Sequence, residues 1–206
     1  MITIIKMIPD YMKCLIFGVF LGTLSKYLDT VAVDGSWQAH VLHYFSNIFT
    51  RLGVWVLIAT IIASYSKTMI RAAINAFAFF AGMLISYYLY SAYLFGFFPT
   101  EYFILWGSVA LFSPIAGIMV WKAKHSARLA YMLPALPMGL LLSLALGFGS
   151  FYSFYSFYMN INYIEELIMY VVLCAIFYKE PKQMAVSVVL SFVVALFIEE
   201  ISPFHF

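Results

Sequence analysis

Charge is what this chain has least of. Only 10% of its 206 residues are Asp, Glu, Lys or Arg, while 65% are hydrophobic. A soluble domain carries roughly 25% charged residues, so a water-solvated globule is excluded and the chain belongs in lipid. The net charge of +2 is too small to draw in nucleic acid. Cysteine occurs twice, at Cys14 and Cys174, each within an apolar run. That usage excludes a disulfide framework and predicts buried thiols. No small-residue cleavage site follows the first apolar run, so the run reads as a first span rather than a removable signal. The length leaves no room for a soluble domain of ordinary size beside the membrane part.

Catalytic signatures are missing too. G-x-S-x-G is absent, which removes the serine nucleophile elbow. H-E-x-x-H, the P-loop and G-x-G-x-x-G are absent as well. Glu165-Glu166 with His43-x-x-x-Asn47 partly resembles the intramembrane CAAX-type proteases. That family requires an arginine four residues after the second glutamate, and Tyr170 stands there. A cysteine peptidase would need Cys14 or Cys174 beside His40 or His43, and the apolar runs place them apart. The expectation is a protein that is not an enzyme and holds no cofactor. His40 and His43 share a helix face at i, i+3, but a metal site needs three or four ligands.

What the chain does have is long apolar runs. They predict an all-α, polytopic membrane protein of about seven transmembrane helices in one integral domain over residues 1–206. The spans are expected at about 12–28, 52–65, 69–94, 101–121, 129–148, 163–178 and 184–198. Span one carries a small-residue stripe of Cys14, Gly18, Gly22 and Ser25, which lets another helix approach closely. Span four carries Pro114, and span five carries Pro134 and Pro137 in its first half, so span five is kinked or broken. The triplet Ser-Phe-Tyr starting at Ser150, and repeated at Ser153 and Ser156, fits no helical or strand period. It reads as an aromatic loop skimming the membrane.

The stretch from Asp34 to Tyr65 organises these elements. On a helix, Trp37, Val41, Tyr44, Phe45 and Ile48 share one face, and His40, His43 and Asn47 another. Ser36 is placed to cap it. This predicts an outer interfacial amphipathic helix between spans one and two, with Arg51 at the headgroup boundary where the chain turns inward. Arg51, Lys26 and Lys67 are expected to snorkel. Placing the N-terminus inside gathers nine of the eleven basic residues in cytoplasmic segments. The positive-inside rule therefore predicts a cytoplasmic N-terminus and an outer C-terminus, in a bacterial plasma membrane.

Nearly every charge falls at a span end, so the interior is neutral. Intramembrane carboxylates mark ion paths, and none stands mid-span. The broken span five and the neutral faces predict a membrane-embedded solute-binding or transport subunit for a small neutral or aromatic molecule. Its ligand-binding residues are expected to be Asn75, Ser86, Tyr87, Trp106, Ser113 and Pro134, between spans three, four and five. The alternative is a non-catalytic structural or regulatory subunit of a membrane complex, resting on the stripe of span one. The expected partners are the lipid bilayer, a small-molecule ligand and a membrane partner subunit.

Leu28-Asp29, Gly53-x-Trp55, Arg71-Ala72-Ala73, Tyr87-Tyr88 and Pro114 with Gly117 follow one another over roughly residues 28 to 140. This order resembles a family of small bacterial polytopic membrane proteins with no established activity. Size and hydropathy also resemble the substrate-binding membrane subunits of energy-coupling-factor vitamin transporters. Those have six spans, one fewer than expected here. That resemblance implies a ligand held between membrane helices.

Overall fold

A computed structural model describes residues 9–31, 35–148 and 159–201. Eight α-helices dominate it: α1 (Asp10–Asp29), α2 (Trp37–Thr50), α3 (Leu52–Ser64), α4 (Met69–Phe95), α5 (Thr100–His125), α6 (Ala135–Ala145), α7 (Ile164–Phe177) and α8 (Pro181–Ile201). A 3-10 turn at Leu129–Tyr131 precedes α6. One antiparallel pair, β1 (Leu146–Phe148) and β2 (Met159–Ile161), joins α6 to α7, with Leu146 opposite Ile161. Helices prevail because hydrocarbon offers no partner to a backbone amide, so each segment has to satisfy its own. Asp34 and the aromatic triplets of residues 150–158 lie outside the described residues.

The helices fall where the apolar runs place them, but seven spans are not shown among the described residues. Three helices are long and apolar enough to cross a membrane: α4, α5 and α8. The pair α2 and α3 makes a fourth only if its 65° bend is taken as one broken span. The reason is length. At about 1.5 Å per residue, α3, α6 and α7 reach only about 16–21 Å, against a hydrocarbon core of about 30 Å. α1 has 20 residues, but Asp10, Lys13, Lys26 and Asp29 dilute its apolarity. The broad faces of α5 and α8 suit lipid, with Leu111 71%, Phe112 68% and Phe197 64% exposed.

α1 and α4 meet backbone to backbone. A Cβ on Gly18 would strike the carbonyl oxygen of Phe79, one on Gly22 that of Met83, and one on Gly82 that of Leu15. The small-residue stripe of span one is therefore a packing seam. Ser86 lies on the same seam and bonds the carbonyls of Gly82 and Met83. Phe79, Phe80, Met83 and Trp55 complete this core.

The second core joins α6, α7 and α8 around Met138, Leu141, Leu173 and Phe177. Here span five is broken, as its prolines require. Pro134 ends the turn after the 3-10 segment and α6 begins at Ala135. The break leaves backbone carbonyls without intrahelical partners, and α8 supplies them. Gln183 Nε2 donates to Ala130 O at 2.7 Å and to Ser187 Oγ at 3.1 Å. Ser187 Oγ donates to the carbonyls of Ala130 and Tyr131. Tyr170 and Ser191 hydroxyls pair at 2.9 Å one turn further on.

Basic residues gather at one end of the bundle. Arg71 meets Asp10 at 3.5 Å, Lys124 Nζ donates to Ile176 O, and Lys179 Nζ donates to Ser126 O. α2 lies at the opposite end, with Ala39 and Ser46 turned inward. Ser36 Oγ caps it by accepting from Ala39 N at 3.2 Å. Trp37, Val41, Tyr44 and Phe45 stay exposed.

Two substitutions separate the seam from an ordinary helix face. Gly22→Val should abolish or strongly lower the thermal transition of the detergent-solubilised protein, because Met83 O is backbone and cannot give way. Gly107→Ala has open space around its Cβ and should be neutral or raise stability by up to about 1 kcal/mol. Gln183→Leu should cost about 1–3 kcal/mol in the same measurement, by leaving the buried Ala130 carbonyl only its longer bond from Ser187.

Candidate functional site

The last turn of α1 carries the site's charges. Asp29 takes Ser46 Oγ from α2 on one oxygen at 3.0 Å and Tyr87 OH from α4 on the other at 2.6 Å. Lys26, one turn earlier, lies 4.0 Å from Asp29 Oδ2, beyond hydrogen-bond reach. Its ammonium sits over the rings of Tyr87 and Phe95, 4.9 and 4.8 Å from their centroids. Lys26 is only 7% exposed, so it does not snorkel. Two aromatic faces and a carboxylate hold its charge inside instead. Among the described residues no oxygen accepts a hydrogen bond from its Nζ.

Beside Lys26 opens a cavity of about 360 Å³. α1 supplies Ser25 and Lys26, the α2–α3 break Phe49, Thr50 and Trp55, α4 Met83 through Phe95, and α5 Tyr102 and Trp106. Trp55 is buried, and its Nε1 donates to Phe49 O at 2.9 Å, which fixes the ring across the break. Tyr88 is buried against Phe103 and Tyr87. Gly96 turns α4 into the α5 approach with a φ of 71°, a conformation that suits glycine. That turn brings Phe97 and Pro99 over the cavity.

The six residues expected to bind ligand are not brought together. Tyr87 and Trp106 line the cavity beside Lys26. Ser113 lines a second cavity of about 430 Å³ between α3, α4, α5 and α6. Its hydroxyl bonds Ala110 O of its own helix, as Ser108 bonds Leu105 O, so the nearly hydrocarbon walls offer little to orient a polar ligand. Asn75 donates to Ser66 Oγ at 3.0 Å, beside Trp121 Nε1 on Ser66 O, and closes the α3–α4 turn. Ser86 belongs to the α1–α4 seam, and Pro134 is packed in the second core without lining either cavity. The site thus uses α1 and the α2–α3 break rather than α6. Lys26 is its charged lining residue, with Asp29 behind it 4.0 Å away, and their i, i+3 spacing at a span end was the available signal.

A second cluster lies at the α2–α3 break. Arg51 is extended there, at φ −83° and ψ 149°. Its Nε donates to Asn47 O at 3.0 Å and caps α2. Its Nη1 lies 2.8 Å from Glu166 Oε2 and 3.5 Å from Glu165 Oε2, with the guanidinium over the Tyr163 ring. Arg51 marks the inward turn as expected, but its charge points into the bundle rather than to headgroups. The β1–β2 pair sets this up. Asn162 and Tyr163 amides return to Ala145 O, so α7 starts at the end of α6 and beside the break. His40 and His43 are exposed on α2. Among the described residues no three His, Cys, Asp or Glu side chains gather into a metal-ligand group.

No curated protein and no solved structure matches the chain. A model of a family of unknown function, DUF6518, matches residues 4–202. The chain is a membrane protein by its helices, and it belongs to the DUF6518 family.

Proposed function

We propose that the protein is a solute-binding membrane subunit, and that its ligand is a small aromatic molecule carrying one hydrogen-bond acceptor. The observation that carries this reading is the Lys26 side chain, 9% exposed and without a hydrogen-bond acceptor among the described residues, at the wall of an aromatic cavity. The volume of about 360 Å³ lies within the range of small-molecule pockets, which pair apolar walls with a few placed polar groups. Asp29 balances the lysine charge, so the ligand needs an acceptor rather than a full countercharge. Trp106, Tyr88 and Trp55 supply ring faces, where offset or edge-on stacking is favourable. We place the basic end of the bundle on the cytoplasmic side of the cell membrane, where the positive-inside rule puts lysine and arginine. The cavity then opens outward.

Benzamide and toluene serve as probes, one with an acceptor and one without. Calorimetry on the protein in lipid nanodiscs should detect benzamide, and Lys26→Met should weaken it about tenfold or more, since a hydrogen bond to a charged group contributes about 1.5–3 kcal/mol. Toluene binding should be unchanged by Lys26→Met and weakened by Trp106→Ala. Absence of any benzamide heat with folded wild-type protein would sink the reading. Orientation is checked separately on cells with an impermeant thiol reagent, where His43→Cys should label from outside and Lys122→Cys should not.

A further inference from the structure

The cluster at the α2–α3 break has no part in the cavity, yet its charges do not balance. Glu166 has no exposed side-chain surface, and Glu165 and Arg51 are 16% and 15% exposed. Two carboxylates therefore share one guanidinium, leaving one net negative charge at a nearly closed site. The charged groups acting on Glu166 are Arg51 and Glu165. The other facing groups are neutral: Tyr44 of α2 stands near Glu165, Tyr163 lies under the guanidinium, and Leu141 of α6 comes up beside Gly53. Glu166 Oε2 is taken by Arg51, but Oε1 is buried with no hydrogen-bond partner among the described residues. It points at the first turn of α3, where the missing side chain of Gly53 leaves room. A Cβ there would stand 3.0 Å from Glu166 Cγ and 3.4 Å from Oε1.

A buried charge is strongly disfavoured unless it is paired, and a buried carboxylate oxygen without a donor is a vacant acceptor. A proton removes the unpaired charge and requires no larger space. We propose that Glu165, Glu166 and Arg51 form a reversible proton-binding site, with Glu166 Oε1 as the acceptor atom and the α2–α3 break as the element it controls. The proton comes from water on the partly exposed Glu165 side. One O–H bond forms on Glu166, no other bond changes, and the cluster goes from one net negative charge to neutral. Arg51 then pairs with the remaining carboxylate, Glu165, and its hold on Glu166 weakens. Arg51 is also the residue that caps α2 at the bend, so protonation loosens the tie between α7 and the break. This inference does not rest on the cavity or its ligand.

The test is an infrared pH titration of the full chain in lipid nanodiscs, following the C=O stretch of a protonated carboxylic acid. Wild type should gain one such band beyond those of its other carboxylic acids as the pH falls, and Glu166→Gln should lack that band. Glu165→Gln leaves one carboxylate facing one guanidinium, so its band should appear about one pH unit or more lower. Spin labels at His43→Cys and Ile61→Cys, across the bend, should change separation with the wild-type midpoint. In Glu166→Gln they should hold the low-pH separation at every pH. Glu165 is partly exposed, so its variant decides the matter if Glu166→Gln does not fold. A wild-type band that persists in Glu166→Gln, or a midpoint unmoved in Glu165→Gln, overturns the proposal. So does a midpoint that shifts when sodium replaces choline at constant ionic strength, which would assign the site to a metal cation.

Discussion

A helix that stops inside a packed bundle leaves carbonyls without intrahelical partners, and several helices here are too short to cross a membrane. Each unpaired group there costs several kcal/mol. The structure depends on the side chains that close these breaks. At the α2–α3 bend, Arg51 Nε takes Asn47 O and Trp55 Nε1 takes Phe49 O. At the α3–α4 turn, Trp121 Nε1 takes Ser66 O. At the broken fifth run, Gln183 and Ser187 take the carbonyls around Ala130. In each case the donor comes from a neighbouring element or from across the break, so a local backbone need becomes a tertiary tie.

These ties also place the chemistry. Breaking the helix at Arg51 lets α2 fold over the end of α1, which brings Ser46 to Asp29. With Asp29 saturated by Ser46 and Tyr87, the neighbouring Lys26 keeps its donors for the cavity. The same break leaves Arg51 free to turn toward α7. Gly53 then allows Glu166 to sit against the α3 backbone. One irregularity in the chain thus organises both polar clusters, while α4, α5 and α8 give the apolar mass that holds them in lipid.

Two charges in this protein do not follow the rule that a lysine or arginine near a span end reaches for headgroups. Lys67 is exposed. Lys26 and Arg51 are turned inward because aromatic rings and carboxylates are waiting there. A snorkelling side chain gains hydration. An inward one has to be matched by partners that a neighbouring helix supplies, and proximity in sequence does not reveal the partner when it lies 115 positions away, as Glu166 does from Arg51.

The order of residues specifies the membrane class, the helical architecture, the position of nearly every helix, the cap at Ser36, the bend at Arg51, the break at Pro134 and the close-packing role of Gly18 and Gly22. All of these follow from composition, local periodicity or the backbone limits of glycine and proline, which act within one or two turns. Tertiary structure alone decided how many helices are long enough to cross, which of the small polar residues are mere packing, and where the charges point. Asn75, Ser86 and Ser113 look alike in sequence, yet they close a turn, line a seam and line an apolar cavity. Lys26 and Glu166 became functional candidates because packing removed them from water, and burial is a property of the assembled bundle that no single helix carries.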